Sequence, residues 1–497
     1  MINVSVYRRP IFAAAMYAQQ PRILTVENMN PNVKKMEYAV RGPLVIRAVN
    51  IEKEIANGTK KPFKSVIKAN IGDAHAMGQR PITFFREVLA CVTFPPLMQT
   101  GQFPKDVIDH AKTILNDCGG CSVGSYSQSV GVNIIRKHVA EFISRRDDIS
   151  SDPENILLCG GASDGIRNIL KLFVNKNSTV KTGVMVPIPQ YPLYSATIEE
   201  YNLGLVGYYL DEQKNWGITL NELERALTES KKEFDVRVLC IINPGNPTGQ
   251  VLSKENIKEI IRFAHNHKLF ILADEVYQDN IYGDGCKFHS FRKIMSEMGQ
   301  PHSEIEIASF YSVSKGYMGE CGLRGGYVEV VNMDKDVFAH LKKMCSAKLC
   351  STVIGQIAMD CAVNPPKQGD PSYELWFEEK TNTIKSLKER AMLVQKVYDS
   401  IKGISCNPIQ GAMYAFPQIM LPEKAILKAK ALNQEADFFY AMQLLESCGV
   451  CVVPGSGFGQ KPGTYHFRTT ILPQLPLMKE MMERFTAFHE KFMQEFS

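Results

Sequence analysis

The sequence predicts an α/β protein: an open, mostly parallel central sheet flanked by helices, with a smaller α+β domain built from both chain ends. Three observations carry this. From Ile156 to Val331, short runs apolar on both faces alternate with helical patterns, as in parallel sheets. The alternation ends near Asn364-Pro365-Pro366, and long helices follow. The chain has 497 residues, more than one ordinary core accommodates. The expected division is 1–80 as an N-terminal segment and part of the smaller domain, 81–365 as the larger domain, and 366–497 as the rest of the smaller one.

The strand candidates are Ile156–Cys159, Gly183–Pro187, Val238–Ile242, Leu269–Ala273, Ile305–Tyr311 and Gly326–Val331. Between them, Thr219 and Glu222 have the spacing of a capping box before Leu223, Ala226 and Leu227. After Ser253, the residues Ile257, Ile260, Ile261 and Ala264 recur at helical spacing. Past the proline break, Ile384, Leu387, Ala391, Val394, Tyr398 and Ile401 share one helix face. The last helix carries Met478, Met481, Met482 and Phe485, a stripe that reads as core packing.

Composition narrows the function classes. Hydrophobic residues make up 45% and charged residues 22%, values of a globular protein. The net charge of +5 is too small and too dispersed to indicate a nucleic-acid or membrane partner. The 13 cysteines sit singly, as Cys240 and Cys451 do, which fits reduced thiols. Cys118-Gly-Gly-Cys121 has no second pair at zinc spacing and reads as a glycine-rich turn, so no metal is expected. The first 25 residues hold Arg8, Arg9 and Arg22 and no acid. A short mitochondrial presequence and a plain basic terminus both fit, so cytoplasm and mitochondrial matrix both stay open.

Charged residues at the ends of apolar strands mark the candidate chemistry. Ser312-Val313-Ser314-Lys315-Gly316 follows one strand. A lysine there is costly unless its amine is used or paired. Desolvation and nearby positive charge are expected to lower its pKa and free a nucleophile that adds to carbonyls. Taken by itself, a lysine reaching from a strand end to solvent is the plainer reading. Arg324, beyond a glycine-rich turn, suits a bound phosphate. Gly160-Gly161-Ala162-Ser163-Asp164-Gly165 joins a strand to a helix start, where free N–H groups and the helix dipole favour an anion.

Asp274 ends another apolar strand and must be paired there. It reads either as a helix cap or as the partner of a protonated ring nitrogen, with Tyr277 beside it as a donor to a ring hydroxyl. Asn243-Pro244-Gly245-Asn246-Pro247-Thr248-Gly249 is a rigid turn at a strand's carboxyl end, where α/β proteins bind ligands. Arg468, flanked by aromatics in Tyr465–Thr469, reads as a surface arginine or as a two-pronged carboxylate grip.

Together these residues resemble the fold-type-I aminotransferases. Asn246-Pro247-Thr248-Gly249, Asp274 with Tyr277, the Ser-Val-Ser-Lys box and Arg324 stand in that family's order at close to its spacing. Further stretches are similar to the alanine aminotransferase family: Met36–Pro43, Asn70–Ala74, Ile188–Tyr194, Asn243–Gln250, Ala273–Asn280, Lys315–Cys321 and Val453–Gln460. The resemblance implies a fold-type-I transferase whose larger domain binds pyridoxal 5'-phosphate. It also implies transfer of the amino group of L-alanine to 2-oxoglutarate by a ping-pong mechanism, giving pyruvate and L-glutamate.

By the same resemblance, Lys315 carries the cofactor as a Schiff base and Asp274 pairs with the pyridine nitrogen. Asn246 and Tyr277 contact the ring hydroxyl, and Tyr191 stacks on the ring. Ala162, Ser163, Ser312 and Arg324 hold the phosphate. Tyr126 reaches a neighbouring subunit's phosphate, which implies a homodimer with shared sites. Arg468 holds the substrate α-carboxylate, against which Gly72 lies. Val313, Leu323 and Ser351-Thr352 depart from the family pattern without removing a catalytic group.

Two other readings are weighed against this one. Gly161-Ala162-Ser163-Asp164-Gly165 matches the G-x-S-x-G elbow of serine hydrolases, with Ser163 as nucleophile and His289 or His466 as base. No HGGG-type loop precedes it, and it leaves Lys315, Asp274 and Arg324 unexplained. A related transaminase or lyase acting on another amino acid shares every motif above.

Overall fold

The computed structural model describes residues 22–38 and 42–497. Arg8, Arg9 and the middle of the Met36–Pro43 stretch lie outside the described residues. Among the described residues, no helix is long and apolar enough to cross a membrane.

Seven strands form the main sheet: β1 (Ile156–Cys159), β2 (Lys181–Ile188), β3 (Gly204–Tyr209), β4 (Phe234–Ile242), β5 (Phe270–Asp274), β6 (Ile307–Ser312) and β7 (Gly326–Val331). Their order is β1-β7-β6-β5-β4-β2-β3. From β6 to β3 every neighbouring pair is parallel, while β7 runs antiparallel to both β1 and β6. The mostly parallel sheet is therefore as expected, with one reversed strand. Antiparallel neighbours need no crossover helix, so the β6–β7 connection stays at one end of the sheet. That connection carries Lys315.

Two local expectations need correction. The strand β3 was not foreseen. It is the sheet edge, its residues alternate between buried and exposed, and Gly204 and Gly207 dilute its apolar signal. The Thr219–Glu222 capping box does not form. Thr219 caps the helix Leu220–Ser230 without a side-chain bond. Glu222 instead accepts the N–H of Tyr209 at 2.8 Å and is gripped by Arg225. A free edge-strand N–H and a nearby guanidinium outcompete the helix's own first turn. By contrast, Ser253 does cap the helix Lys254–Asn266, accepting the N–H of Asn256 at 3.1 Å.

Helices cover both faces of the sheet, and the two chain ends share a separate apolar cluster. Leu44, Ala48 and Ile51 of the helix Pro43–Ala56 pack there with Met478, Met481, Met482 and Phe485 of the last helix, Leu475–Phe496. The long helix Tyr373–Ser400 spans two clusters, with Trp376 against the elements of residues 82–143 and Leu387 to Tyr398 among the chain ends. A three-stranded sheet within this region has Phe467–Thr470 at its centre, paired with Tyr414–Ala415 on one side and Val453–Pro454 on the other.

Candidate active site

Parallel strands put their carboxyl ends on one side, and ligands of open α/β sheets bind there. Asp274 closes β5, flanked in register by Ile242 of β4 and Phe310 of β6. Ser312 closes β6 opposite Gly326, the first residue of the reversed β7, and Cys159 at the end of β1 faces Gly326 from the other side. The same sheet end therefore gathers Asn246, Asp274, Ser312, Lys315, Arg324 and the turn after β1. The segment Phe467–Thr470 closes over them. The result is one cavity of about 670 Å³.

Lys315 points its Nζ into this cavity and donates to the Gly72 carbonyl at 3.0 Å. Its protonation corrects the expectation of a lowered pKa. Burial does pull the pKa down, but the Tyr414 phenol and the Cys321 thiol outweigh burial and the opposing Arg468, so the amine is held above its ordinary range. Asp274 is buried. Its Oδ2 accepts the Tyr194 hydroxyl at 2.8 Å, while its Oδ1 has no hydrogen-bond partner among the described residues. Burial raises its carboxyl to about 6, against the lowering effects of Tyr194, the Val276 N–H and Lys315. No helix follows Asp274, which disposes of the helix-cap reading.

The opposite end of the cavity is shaped for an anion. The helix Ala162–Leu172 starts there with Gly161 as its N-cap and no side-chain cap. Gly161 has φ +81°, and a Cβ on it would collide with the Arg324 guanidinium. Only glycine lets the turn and the arginine approach so closely. Arg324 Nη2 donates to the Gly160 carbonyl at 3.1 Å and Nη1 to the Cys321 carbonyl at 3.0 Å. Ala162, Ser163 and Ser312 line the same end.

Arg468 is buried on the central strand of the small sheet. It donates to Asn246 Oδ1 at 3.1 Å and to the Asn70 carbonyl at 2.9 Å, and its Nε has no partner among the described residues. Its guanidinium lies between the rings of Tyr414, at 4.1 Å, and Phe458, at 4.7 Å. Gly72 has no room for a side chain, because an added Cβ would collide with the Tyr414 hydroxyl. Tyr191 and Tyr277 also line the cavity; the Tyr191 hydroxyl is 2.9 Å from that of Tyr38.

The cavity wall thus includes every site residue singled out in the sequence except Tyr126, which is 75% exposed and lies elsewhere on the chain. The serine-hydrolase reading of Ser163 finds no support, since among the described residues no histidine lines the cavity. His466 is held by Gln460 and Glu212 and stacked on Phe416, and His289 is likewise outside the cavity wall. Sequence reasoning missed Tyr38, Tyr194, Cys321 and Tyr414. Tyr194 stands three residues after Tyr191, one helical turn on, and that spacing was the available signal. Tyr414 had none, because a tyrosine in an apolar run reads as core.

A sheet of this order, with a buried lysine between its last two strands and a carboxylate at its centre, defines a fold-type-I transferase, the class that works with pyridoxal 5'-phosphate. The family model of aminotransferase class I and II matches residues 96–485, and the chain belongs to that family. It is 57% identical over 96% of its length to alanine aminotransferase 2 of Xenopus tropicalis, covering 91% of that protein. It is 51% identical over 97% of its length to alanine aminotransferase 1 of Homo sapiens, covering 98% of it. Among solved structures, alanine aminotransferase from Pyrococcus furiosus superposes with a TM-score of 0.73 at 22% identity, over 93% of this chain and 99% of that one, a likeness of fold alone.

Proposed function

We propose that the chain transfers the amino group of L-alanine to 2-oxoglutarate, giving pyruvate and L-glutamate, at the cavity around Lys315. One observation carries the fit to pyridoxal phosphate. Asp274 Oδ1 is buried with no hydrogen-bond partner among the described residues, at the sheet centre and in the same cavity as Lys315. An acceptor so placed requires a donor, and a protonated ring nitrogen is one. The cofactor, when bound, supplies an aldehyde that condenses with amines and a ring that draws electrons from an amino acid's Cα–H bond.

The chain's residues divide the remaining work. Asp274 would keep the ring nitrogen protonated. Asn246 and Tyr277 would hold the ring hydroxyl, and Tyr191 would support the ring. The N–H groups at Ala162 and Ser163, the Ser312 hydroxyl and Arg324 hold the phosphate. Lys315 first anchors the cofactor. Its free amine would move the proton off the substrate Cα as general base. Arg468 offers its unpartnered Nε to the substrate carboxylate. Tyr126, exposed and outside the wall of its own cavity, suits a contact with the phosphate site of a second copy, making the active unit a homodimer. The substrate assignment rests on the relatives named alanine aminotransferase; cytosol and mitochondrial matrix both fit it.

A panel of amino donors with 2-oxoglutarate, read by product identity, tests this reading. Pyruvate from alanine at the highest kcat/KM is the expected outcome; a clear preference for another donor overturns the substrate. Arg468→Lys keeps the charge but loses the planar fork. Hydrogen bonds to charged groups contribute about 1.5–3 kcal/mol, so kcat/KM for alanine is expected to fall about 10- to 100-fold. Steady-state kinetics should place most of that loss in KM, with cofactor affinity unchanged.

A further inference from the structure

Tyr414 touches Arg468 and stands beside Lys315, the two working cations of the cavity, and no role has yet been assigned to it. It lies on the strand Tyr414–Ala415 beside the strand of Arg468, and it is buried. Its ring stands 4.1 Å from the Arg468 guanidinium carbon. Its hydroxyl accepts from the Tyr277 hydroxyl at 3.3 Å. It also crowds the one spot beside Gly72 that lies 3.3 Å from Lys315 Nζ.

We propose that Tyr414 is a positioning residue for the transamination reaction: its ring holds Arg468 in place for the substrate carboxylate, and its hydroxyl holds the free Lys315 amine toward the substrate Cα. The inference rests on the transaminase reading above and adds a residue to it. Electrostatics agrees with the geometry. Burial alone would raise the Tyr414 phenol, but Lys315 and Arg468, helped by Tyr277, bring it below its ordinary range. The Tyr277 phenol, by contrast, is pushed well up by burial and by Tyr414. Tyr277 therefore keeps its proton and donates, leaving the Tyr414 oxygen as the acceptor facing the amine. Tyr277, Tyr414, Cys321, Arg468 and Asp274 are titratable or charged groups around that amine. An amine stabilised in its charged form is the stronger base, which suits it to take a proton from carbon.

The two functions separate on substitution. Tyr414→Phe keeps the ring and loses the hydroxyl. It is expected to lower kcat by about 10- to 100-fold, at the lower end of acid–base effects, with KM for alanine within about twofold of wild type, well inside one hydrogen bond's worth. In the cofactor-free chain the same variant has a less basic Lys315. Labelling of that lysine by trinitrobenzenesulfonate at pH 8, followed by peptide mapping, should run several-fold faster than in wild type. Tyr414→Leu removes the ring as well and should add a rise in KM of about 5- to 30-fold, the range of a desolvated cation–π contact. Wild-type kcat together with wild-type labelling in Tyr414→Phe would overturn the proposal, as would equal changes in KM for both variants. A wild-type chain that transaminates no amino donor refutes the underlying reading instead, whatever the variants do.

Discussion

Lys315→Ala is expected to lower the turnover of alanine with 2-oxoglutarate by on the order of 10,000-fold or more, because in the role proposed for it one amine serves as both covalent anchor and general base. The substitution leaves the phosphate cradle intact: Gly161, the start of the helix Ala162–Leu172 and Arg324 make no contact that requires the amine. The variant should therefore still retain cofactor, now exchangeable by dialysis, as read from its absorbance. Loss of turnover with cofactor still bound separates chemistry from binding. Near-normal kcat in this variant would contradict the role assigned to Lys315.

Asp274→Ala is expected to cost about 100- to 1,000-fold in kcat, the scale of removing a preorganised charge partner from a closed site. Its pH behaviour is equally diagnostic. Burial holds the carboxyl near 6 in the cofactor-free chain. Binding a ring cation favours the ionised carboxylate, so by linkage cofactor affinity should fall as pH drops through about 6. The cofactor phosphate also titrates at about 6, and Asp274→Asn is the control: the part of the pH dependence that it abolishes belongs to Asp274. Tyr194→Phe deletes a hydrogen bond to the charged form and should move the midpoint upward. Fluorescence titration of the cofactor-free chain between pH 5 and pH 8 checks all three.

The buried strands were legible because a strand apolar on both faces has a simple pattern: β1 and β7 fall on the residues anticipated, and β4, β5 and β6 within a few residues at their starts and one at their ends. The edge strand β3 was not, since half-exposure and two glycines remove that pattern. Lys315, Asp274 and Arg324 stood out because a charge beside a fully apolar run needs a reason. Tyr38, Tyr194 and Tyr414 did not, because a phenol ring is at home in a core and its hydroxyl acquires meaning only from what tertiary packing brings to it. The Lys315 pKa shows the same limit. Burial was foreseeable from the strand, but Tyr414 comes from a segment about a hundred residues away in sequence and reverses the net direction.

The central claim is that the Lys315 amine forms the covalent link to the cofactor's aldehyde carbon. Reduction of the holoenzyme with borohydride, followed by proteolysis and mass mapping, tests it most directly. One pyridoxyl group per chain on the peptide containing Ser312-Val313-Ser314-Lys315 is the result predicted here. A label on any other lysine, or no label on a cofactor-loaded chain, would contradict it.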